Sequence, residues 1–294
     1  MTSGPGPPAT LLDWFAVRQR DLPWRRTRDP WRVLVAELML QQTQVARVVP
    51  RYHGFLDRWP TATSCADDPP AAVVEAWRGL GYNRRALNLH RAATIVRDHH
   101  DGVLPADLAG LLALPGVGPY TARAVLAFAH EADGVGVVDT NVARVLARRA
   151  GRRLSPSEVQ AEADRAVPEG RSWAWNQAMI DLGATVCRAG RPVCGDCPVS
   201  AGCGWFEAGA GAAESDPAVG SAGVPGRQSR FEGSDRQGRG RLVDALRSGV
   251  VGADRLPSVM GWPDDPERAR RVAATVVRDG LAVVDGTGAL ALPR

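Results

Sequence analysis

From Leu11 to about Ala150 the apolar residues recur at spacings of three and four, the period of helices with one buried face. Val33, Leu34, Leu38 and Val45 form one such set, Val73, Trp77 and Leu80 a second, and Leu89, Ala93 and Val96 a third. No stretch of this region alternates as a half-buried strand would. Trp59-Pro60, Asp68-Pro69-Pro70 and Leu114-Pro115-Gly116 punctuate it at intervals suited to helices of roughly 10 to 15 residues. The pattern predicts an all-α core. Between Gly204 and Arg241 large apolar residues thin out in favour of Gly, Ala, Ser and Pro, which predicts a flexible linker over 207–240. Beyond it lie three short helical patterns, Arg241 to Ser248, Ala253 to Met260 and Asp265 to Asp279. Leu281 to Asp285 and Ala289 to Leu292 then flank a Gly286-Thr287-Gly288 turn. Helices followed by a hairpin indicate a small winged-helix-like module over 241–294.

Composition narrows the chemistry. The chain has 294 residues, enough for two modest domains, and a net charge of +4 that suits a polyanion without specifying one. All 36 permanent cations are arginine, so no side-chain amine exists to form a Schiff base, and a lysine-dependent lyase is excluded. The sequence contains no apolar run of the roughly 18 residues that span a bilayer, and Met1 to Ala9 lacks the layout of a secretory signal, so a cytoplasmic protein without a membrane segment is expected. Five cysteines occur, and Cys187, Cys194, Cys197 and Cys203 fall within 17 residues as C-x6-C-x2-C-x5-C. A cytoplasmic chain does not keep disulfides there. Four thiolates on one short loop fit a tetrahedral zinc or an iron-sulfur cluster, and ligand chemistry alone leaves both open. Cys65, remote from the four, reads as a core or surface thiol.

Three further segments admit two readings each. Leu114-Pro-Gly-Val-Gly-Pro-Tyr-Thr-Ala122 joins two helical patterns; Gly116 and Gly118 would let backbone N–H groups approach a phosphate, or simply make a turn. Asp139, ahead of Thr140-Asn141-Val142, fits a helix N-cap. Glu37 sits in an apolar stretch, Leu34-Val-Ala-Glu37-Leu-Met-Leu-Gln41-Gln42-Thr43, either as a desolvated general acid or as a helix-edge glutamate facing an arginine.

Together these strings resemble the helix-hairpin-helix, iron-sulfur glycosylases of the endonuclease III and MutY family, over roughly residues 11 to 206. The cysteine spacing is similar to that family's 4Fe-4S loop, which implies a cluster with Arg188 and Arg191 as phosphate contacts. Val-Asp139-x-Asn141-Val-x-Arg-Val matches its catalytic aspartate, with Asn141 orienting it. Glu37-x-Met-Leu-Gln41-Gln42-Thr43-Gln-Val looks like the MutY signature specifically and implies Glu37 as the acid that protonates adenine. Gln42, flanked by Gln41 and Thr43, and Tyr82 after Leu80-Gly81 are implied to fill the space left by an extruded base. The family continues after that tyrosine with Tyr-Ala-Arg-Ala, whereas Asn83, Arg84 and Arg85 follow here, a more basic run indistinguishable from surface arginines. Leu22-Pro23-Trp24-Arg25 matches its L-P-W-R, with Trp24 as site wall, interdomain join or core and Arg25 supporting Asp139 or a phosphate.

The resemblance implies a six-helix barrel over 21–133 and an iron-sulfur domain from 1–20 with 134–206, with double-stranded, mismatched DNA bound across the cleft by a monomer. Bifunctional members keep a lysine where this chain has Tyr120, which implies base removal without strand cleavage. MutY proteins usually end in a nudix-like domain that reads 8-oxoguanine, and 241–294 is too short for one. The short architecture also suits glycosylases that remove thymine or uracil opposite guanine. A non-catalytic iron-sulfur DNA-binding protein is a third reading, which the presence of both Glu37 and Asp139 disfavours.

Overall fold

The computed structural model describes residues 7–210, 216–221 and 230–293. Of the segment expected to be a linker, residues 211–215 and 222–229 lie outside the described residues. The all-α expectation is borne out: among the described residues strand is confined to one short hairpin near the C-terminus. No described helix is long and apolar enough to cross a membrane.

The chain divides into two compact units, Met1–Val33 with Gly118–Arg227, and Leu34–Val117 with Gln228–Arg294. In the first unit, α1 (Pro7–Arg18) packs on α11 (Ser172–Asp181), which also meets α8 (Pro119–Phe128) and α9 (Thr140–Ala150). Leu11, Phe15, Val142, Val145, Trp175 and Leu182 are among the core residues. The polar anchor of the unit is Asp181. Its carboxylate receives both terminal nitrogens of Arg25, each at 2.8 Å, and the backbone and side-chain N–H groups of Arg20 at 3.1 and 2.6 Å. Arg25 also donates to Gln177 Oε1 at 2.7 Å. Arg25 was expected to support Asp139 or a phosphate; it is buried in this pair instead, and Trp24 beside it is buried as well.

In the second unit, α4 (Ala62–Asp67) and α5 (Pro70–Ala76) pack on α6 (Arg84–His99), and the Phe55 ring meets those of Trp59 and Trp77. Cys65 is a core thiol, fully buried, and burial pushes it up to about 12. The C-terminal helices α13 (Asp235–Leu246), α14 (Leu256–Met260) and α15 (Pro266–Arg278) pack on one another. A hairpin follows, Val283 opposite Ala291 and Val284 opposite Leu290, and Val251 adds a bridge to Leu290. Helices and hairpin come in the expected order, but α13 begins at Asp235, inside the segment expected to be a linker over 207–240. The last module is joined to the helices before it: Arg247 donates to Val74 O at 2.9 Å and to Asn83 Oδ1 at 2.9 Å, and Arg84 pairs with Asp279 at 3.3 Å.

Burial alone would raise the Asp181 carboxyl, but the hydrogen bonds and charge of Arg25 and Arg20 hold it below its ordinary value. Asp181→Asn leaves the buried Arg25 guanidinium uncompensated and is expected to cost about 3 to 5 kcal/mol in urea unfolding at neutral pH. A depressed native pKa contributes stability that is complete above the unfolded value of roughly 3.9 and lost as pH falls through the native one, so the gap between wild type and variant should close only below about pH 4.

Candidate functional site

The sequence-predicted site residues fall into two groups, one in each unit. In the second unit, α2 (Pro30–Leu40) carries Glu37 on its buried side, 4 % exposed, amid Leu34, Leu38 and Met39. The helix ends in the turn Gln41-Gln42-Thr43. Arg85, buried to 7 %, sets the geometry of that turn. One terminal nitrogen donates to Leu38 O at 2.8 Å and Met39 O at 2.9 Å, orphan carbonyls of the helix end; the other donates to Thr43 Oγ1 at 2.9 Å and Gly81 O at 3.0 Å. Thr43 Oγ1 in turn donates to Leu80 O at 3.1 Å. Arg85 therefore ties the turn after Glu37 to the turn carrying Tyr82. Burial pulls its pKa down to about 10, still cationic at neutral pH.

Both turns end in a strained residue. Gln42 has φ +57° and Tyr82 φ +46°, left-handed values that cost a non-glycine residue on the order of 1 to 3 kcal/mol. Tyr82 is 46 % exposed, and its hydroxyl donates to Gln42 Oε1 at 3.4 Å. Such strain persists only where the surroundings over-determine the backbone, and here Arg85 and Thr43 do so. Gln41 Nε2 donates to Gly116 O at 3.4 Å. Gly116 has φ +81°, and a Cβ there would stand 2.8 Å from Asn88 Cβ, so the turn after α7 (Leu108–Leu112) requires glycine on two counts. Gly118 differs: it is extended, with open space where a Cβ would go. Tyr120 follows, half-buried in the first turn of α8; Gly118 and Tyr120 belong to the first unit.

In the first unit, Asp139 is the N-cap of α9. Its Oδ1 accepts from the backbone N–H of Asn141 at 2.8 Å and Val142 at 2.7 Å, and its Oδ2 from Asn141 Nδ2 at 2.8 Å. Burial raises this carboxyl, and the three hydrogen bonds and Arg144 counter the shift. The approach to Asp139 is held by Asn176, which accepts from Val137 N–H at 2.7 Å and donates to Val135 O at 2.9 Å. One turn along α9, Arg144 donates to Asn141 Oδ1 at 2.8 Å, Gly183 O at 2.7 Å and Cys187 O at 2.7 Å. An unbroken hydrogen-bonded chain thus runs from the Asp139 carboxylate to the first cysteine of the loop. A further turn along, Arg148 donates to Cys187 Sγ at 3.3 Å, to Arg188 O at 2.9 Å and to Asp216 at 2.7 Å, and its guanidinium lies 4.5 Å over the Trp205 ring.

Cys187, Cys194, Cys197 and Cys203 line one small pocket with Val186, Trp205 and Phe206. Among the described residues no three His, Cys, Asp or Glu converge as a single-ion site. Arg188 and Arg191 are exposed on the same loop. Sequence reasoning missed Arg85, Arg148 and Asp216. The first looks like its surface neighbours, and the last lies in a stretch of small residues that carries no pattern.

Residues 35–169 match the family described as HhH-GPD superfamily base excision DNA repair protein. A Mycolicibacterium smegmatis protein named adenine DNA glycosylase is 41 % identical over 290 residues, 97 % of this chain and 95 % of that one. The chain belongs to the MutY-type adenine glycosylase family. Among solved structures, a thermostable thymine-DNA glycosylase superposes with TM-score 0.63 at 29 % identity over 68 % of this chain and 94 % of that one. A trapped endonuclease III–DNA covalent intermediate gives 0.57 at 26 % over 65 % and 89 %. The MutY-type match runs well past the cysteine loop, so the C-terminal module has a counterpart in the mycolicibacterial relative.

Gly183 packs against Asn141 so closely that an added Cβ would lie 2.6 Å from Asn141 Cβ and 2.8 Å from its carbonyl oxygen. Gly183→Ala is expected to lower unfolding stability by roughly 1 to 3 kcal/mol, as overpacked cores do, measured by chemical denaturation. A variant as stable as wild type would contradict the tight Asn141 contact.

Proposed function

We infer that this chain is a monofunctional glycosylase that removes adenine mispaired with 8-oxoguanine or guanine in double-stranded DNA. The observation that carries the reading is a buried glutamate one turn ahead of the strained Gln42 turn, in a chain whose relative over nearly its full length is an adenine DNA glycosylase. Glu37, kept from water by α2, donates a proton to the adenine ring, which makes the purine a better leaving group. As the bond from the sugar to the base breaks, its electron pair goes to the protonated ring and positive charge develops on the sugar. The Asp139 carboxylate stabilises that charge. Asn141 fixes the carboxylate through Oδ2, and Arg144 fixes Asn141. The oxygen of a water then bonds to the sugar carbon, its proton restores the Glu37 carboxyl by way of solvent, adenine departs and an abasic site remains.

Gln42 and Tyr82 fill the space left by the extruded nucleotide, and their strained backbones hold them ready before DNA arrives. Gln41, Thr43 and Leu80 shape the two turns. Backbone N–H groups around Gly116 and Gly118 meet a phosphate, the open side of Gly118 permitting close approach. Tyr120 offers no amine, and the chain has no side-chain amine elsewhere, so no strand cleavage through a lysine Schiff base follows. Cys187, Cys194, Cys197 and Cys203 would hold a 4Fe-4S cluster: four soft donors line one pocket whose wall includes Arg148, a cation suited to a thiolate-rich anionic group. Its contribution when bound is to shape the loop that presents Arg188 and Arg191 to the phosphate backbone.

The test is a single-turnover assay with duplexes holding A opposite 8-oxoguanine, A opposite G, and T opposite G. Excision from the first two and none from the third is expected, with strand breaks appearing only after alkali. Glu37→Gln should slow excision by about 10²- to 10⁴-fold with binding retained. Thymine release, or nicking without alkali, would refute the reading. The purified protein should also contain iron and acid-labile sulfide in equal amounts, and Cys197→Ser should lower both.

A further inference from the structure

Asp139 is delivered to the start of α9 by a segment without regular structure. Residues 135–139 belong to no helix or strand, yet Gly136 and Val137 are buried. Buried backbone outside a helix or sheet has to find its hydrogen-bond partners among side chains. Three consecutive residues do so here. Asn176 of α11 accepts from Val137 N–H and donates to Val135 O. Between them, Gly136 N–H donates to Asp164 Oδ1 at 2.8 Å, and Gly136 O accepts from Gln160 Nε2 at 3.0 Å. Gln160 and Asp164 stand one turn apart on α10 (Pro156–Ala166). The segment lies close on that helix: a Cβ at Gly136 would stand 2.5 Å from the carbonyl carbon of Ala163.

Asp164 is the centre of this anchorage. Besides Gly136 N–H, its Oδ1 accepts from Gln160 at 2.9 Å and from Arg123 at 2.6 Å, and its Oδ2 accepts from the other terminal nitrogen of Arg123 at 3.3 Å. Arg123 belongs to α8, the helix that opens at Gly118. One carboxylate thus fastens α8, α10 and the backbone three residues ahead of Asp139. The N-cap bonds to Asn141 and Val142 orient the Asp139 carboxylate relative to α9. The distance from the start of α9 to α8 is set outside that cap, and Asp164 spans it through Gly136 and Arg123. A carboxylate stabilises charge on a sugar only from beside the reacting carbon, and a misplacement of about 1 Å can cost on the order of 10²-fold in rate.

We propose that Asp164 is a positioning residue for base excision: by holding Gly136 N–H and Arg123 together it sets the Asp139 carboxylate at a fixed distance from α8. A nucleotide whose phosphate meets the first turn of α8 then presents its sugar to that carboxylate. Asp164 itself acts only through the backbone it holds. The proposal rests on the glycosylase reading, which supplies the role of Asp139.

The experiment compares the full chain with Asp164→Ala and with Asp164→Asn, which keeps an acceptor oxygen for Gly136 N–H. Three quantities are read. Excision is followed in single turnover at saturating protein on a duplex holding A opposite 8-oxoguanine. Affinity is taken from the same duplex carrying a 2′-fluorinated adenosine, whose base is not released. Amide deuterium exchange is followed in the peptide spanning 135–142. Asp164→Ala is expected to slow excision roughly ten- to a hundredfold and to speed exchange in that peptide. Its affinity should stay within about twofold of wild type, since the lost interaction serves the transition state and not the bound duplex. Asp164→Asn should recover the rate to within about threefold. Wild-type rate in a folded Asp164→Ala variant, a loss of affinity equal to the loss of rate, or an Asn variant as slow as Ala would each overturn the proposal. Where Asp164→Ala does not fold, Gln160→Ala removes the bond to Gly136 O and should slow excision about three- to tenfold at unchanged affinity, and wild-type rate there overturns the proposal equally. A wild type that releases no adenine, with exchange at 135–142 still faster in Asp164→Ala, would remove the glycosylase reading and leave the anchorage of Asp139 in place.

Discussion

The second unit depends on one buried cation. Arg85 has no carboxylate partner among its hydrogen bonds; it is held by carbonyl oxygens, by Thr43 and by the flanking rings of Trp77 and Tyr82. A guanidinium is suited to this because its planar fork reaches several acceptors in fixed directions and remains charged under strong desolvation. The end of α2 has unsatisfied carbonyls, the two following turns have left-handed residues, and neither feature is tolerable alone. The cation links them, so the position of Gln42 and Tyr82 follows from the place where α2 stops.

The first unit applies the same device along α9. Arg144 and Arg148, one turn apart, hold backbone carbonyls of the segment from Gly183 to Ala189, while Asp139 and Asn141 bond within the start of the helix. Burial raises the Asp139 carboxyl, and two backbone N–H groups and an amide counter the shift, with Arg144 behind them. The residue proposed to stabilise the sugar charge is thus also the N-cap of α9.

Much of this was legible in the sequence. The three-and-four spacing gave the helices, the order of helices and hairpin gave the C-terminal module, and the cysteine spacing named the loop residues that now line one pocket. What stayed hidden were partners chosen by tertiary contact. Arg84 and Arg85 are adjacent and chemically identical, yet the side chain of one is 62 % exposed and the other residue lies at 7 %. Helix phase separates them, and the phase was not readable across the irregular turn at Gly81 and Tyr82. Arg25 finds Asp181 156 positions away, so its local motif pointed to the wrong partner. Left-handed φ at Gln42 and Tyr82 could not be inferred because neither residue favours it; only the packed acceptors around Arg85 impose it.

Arg148 joins three parts of the chain: α9, the start of the cysteine loop at Cys187 to Ala189, and the segment containing Asp216. Opening any one of them strands a guanidinium that is 1 % exposed, which is costly unless the others open too. The late segment thus behaves as a latch for the loop, and the two should loosen together as a single cooperative unit rather than fray from the nearer chain end.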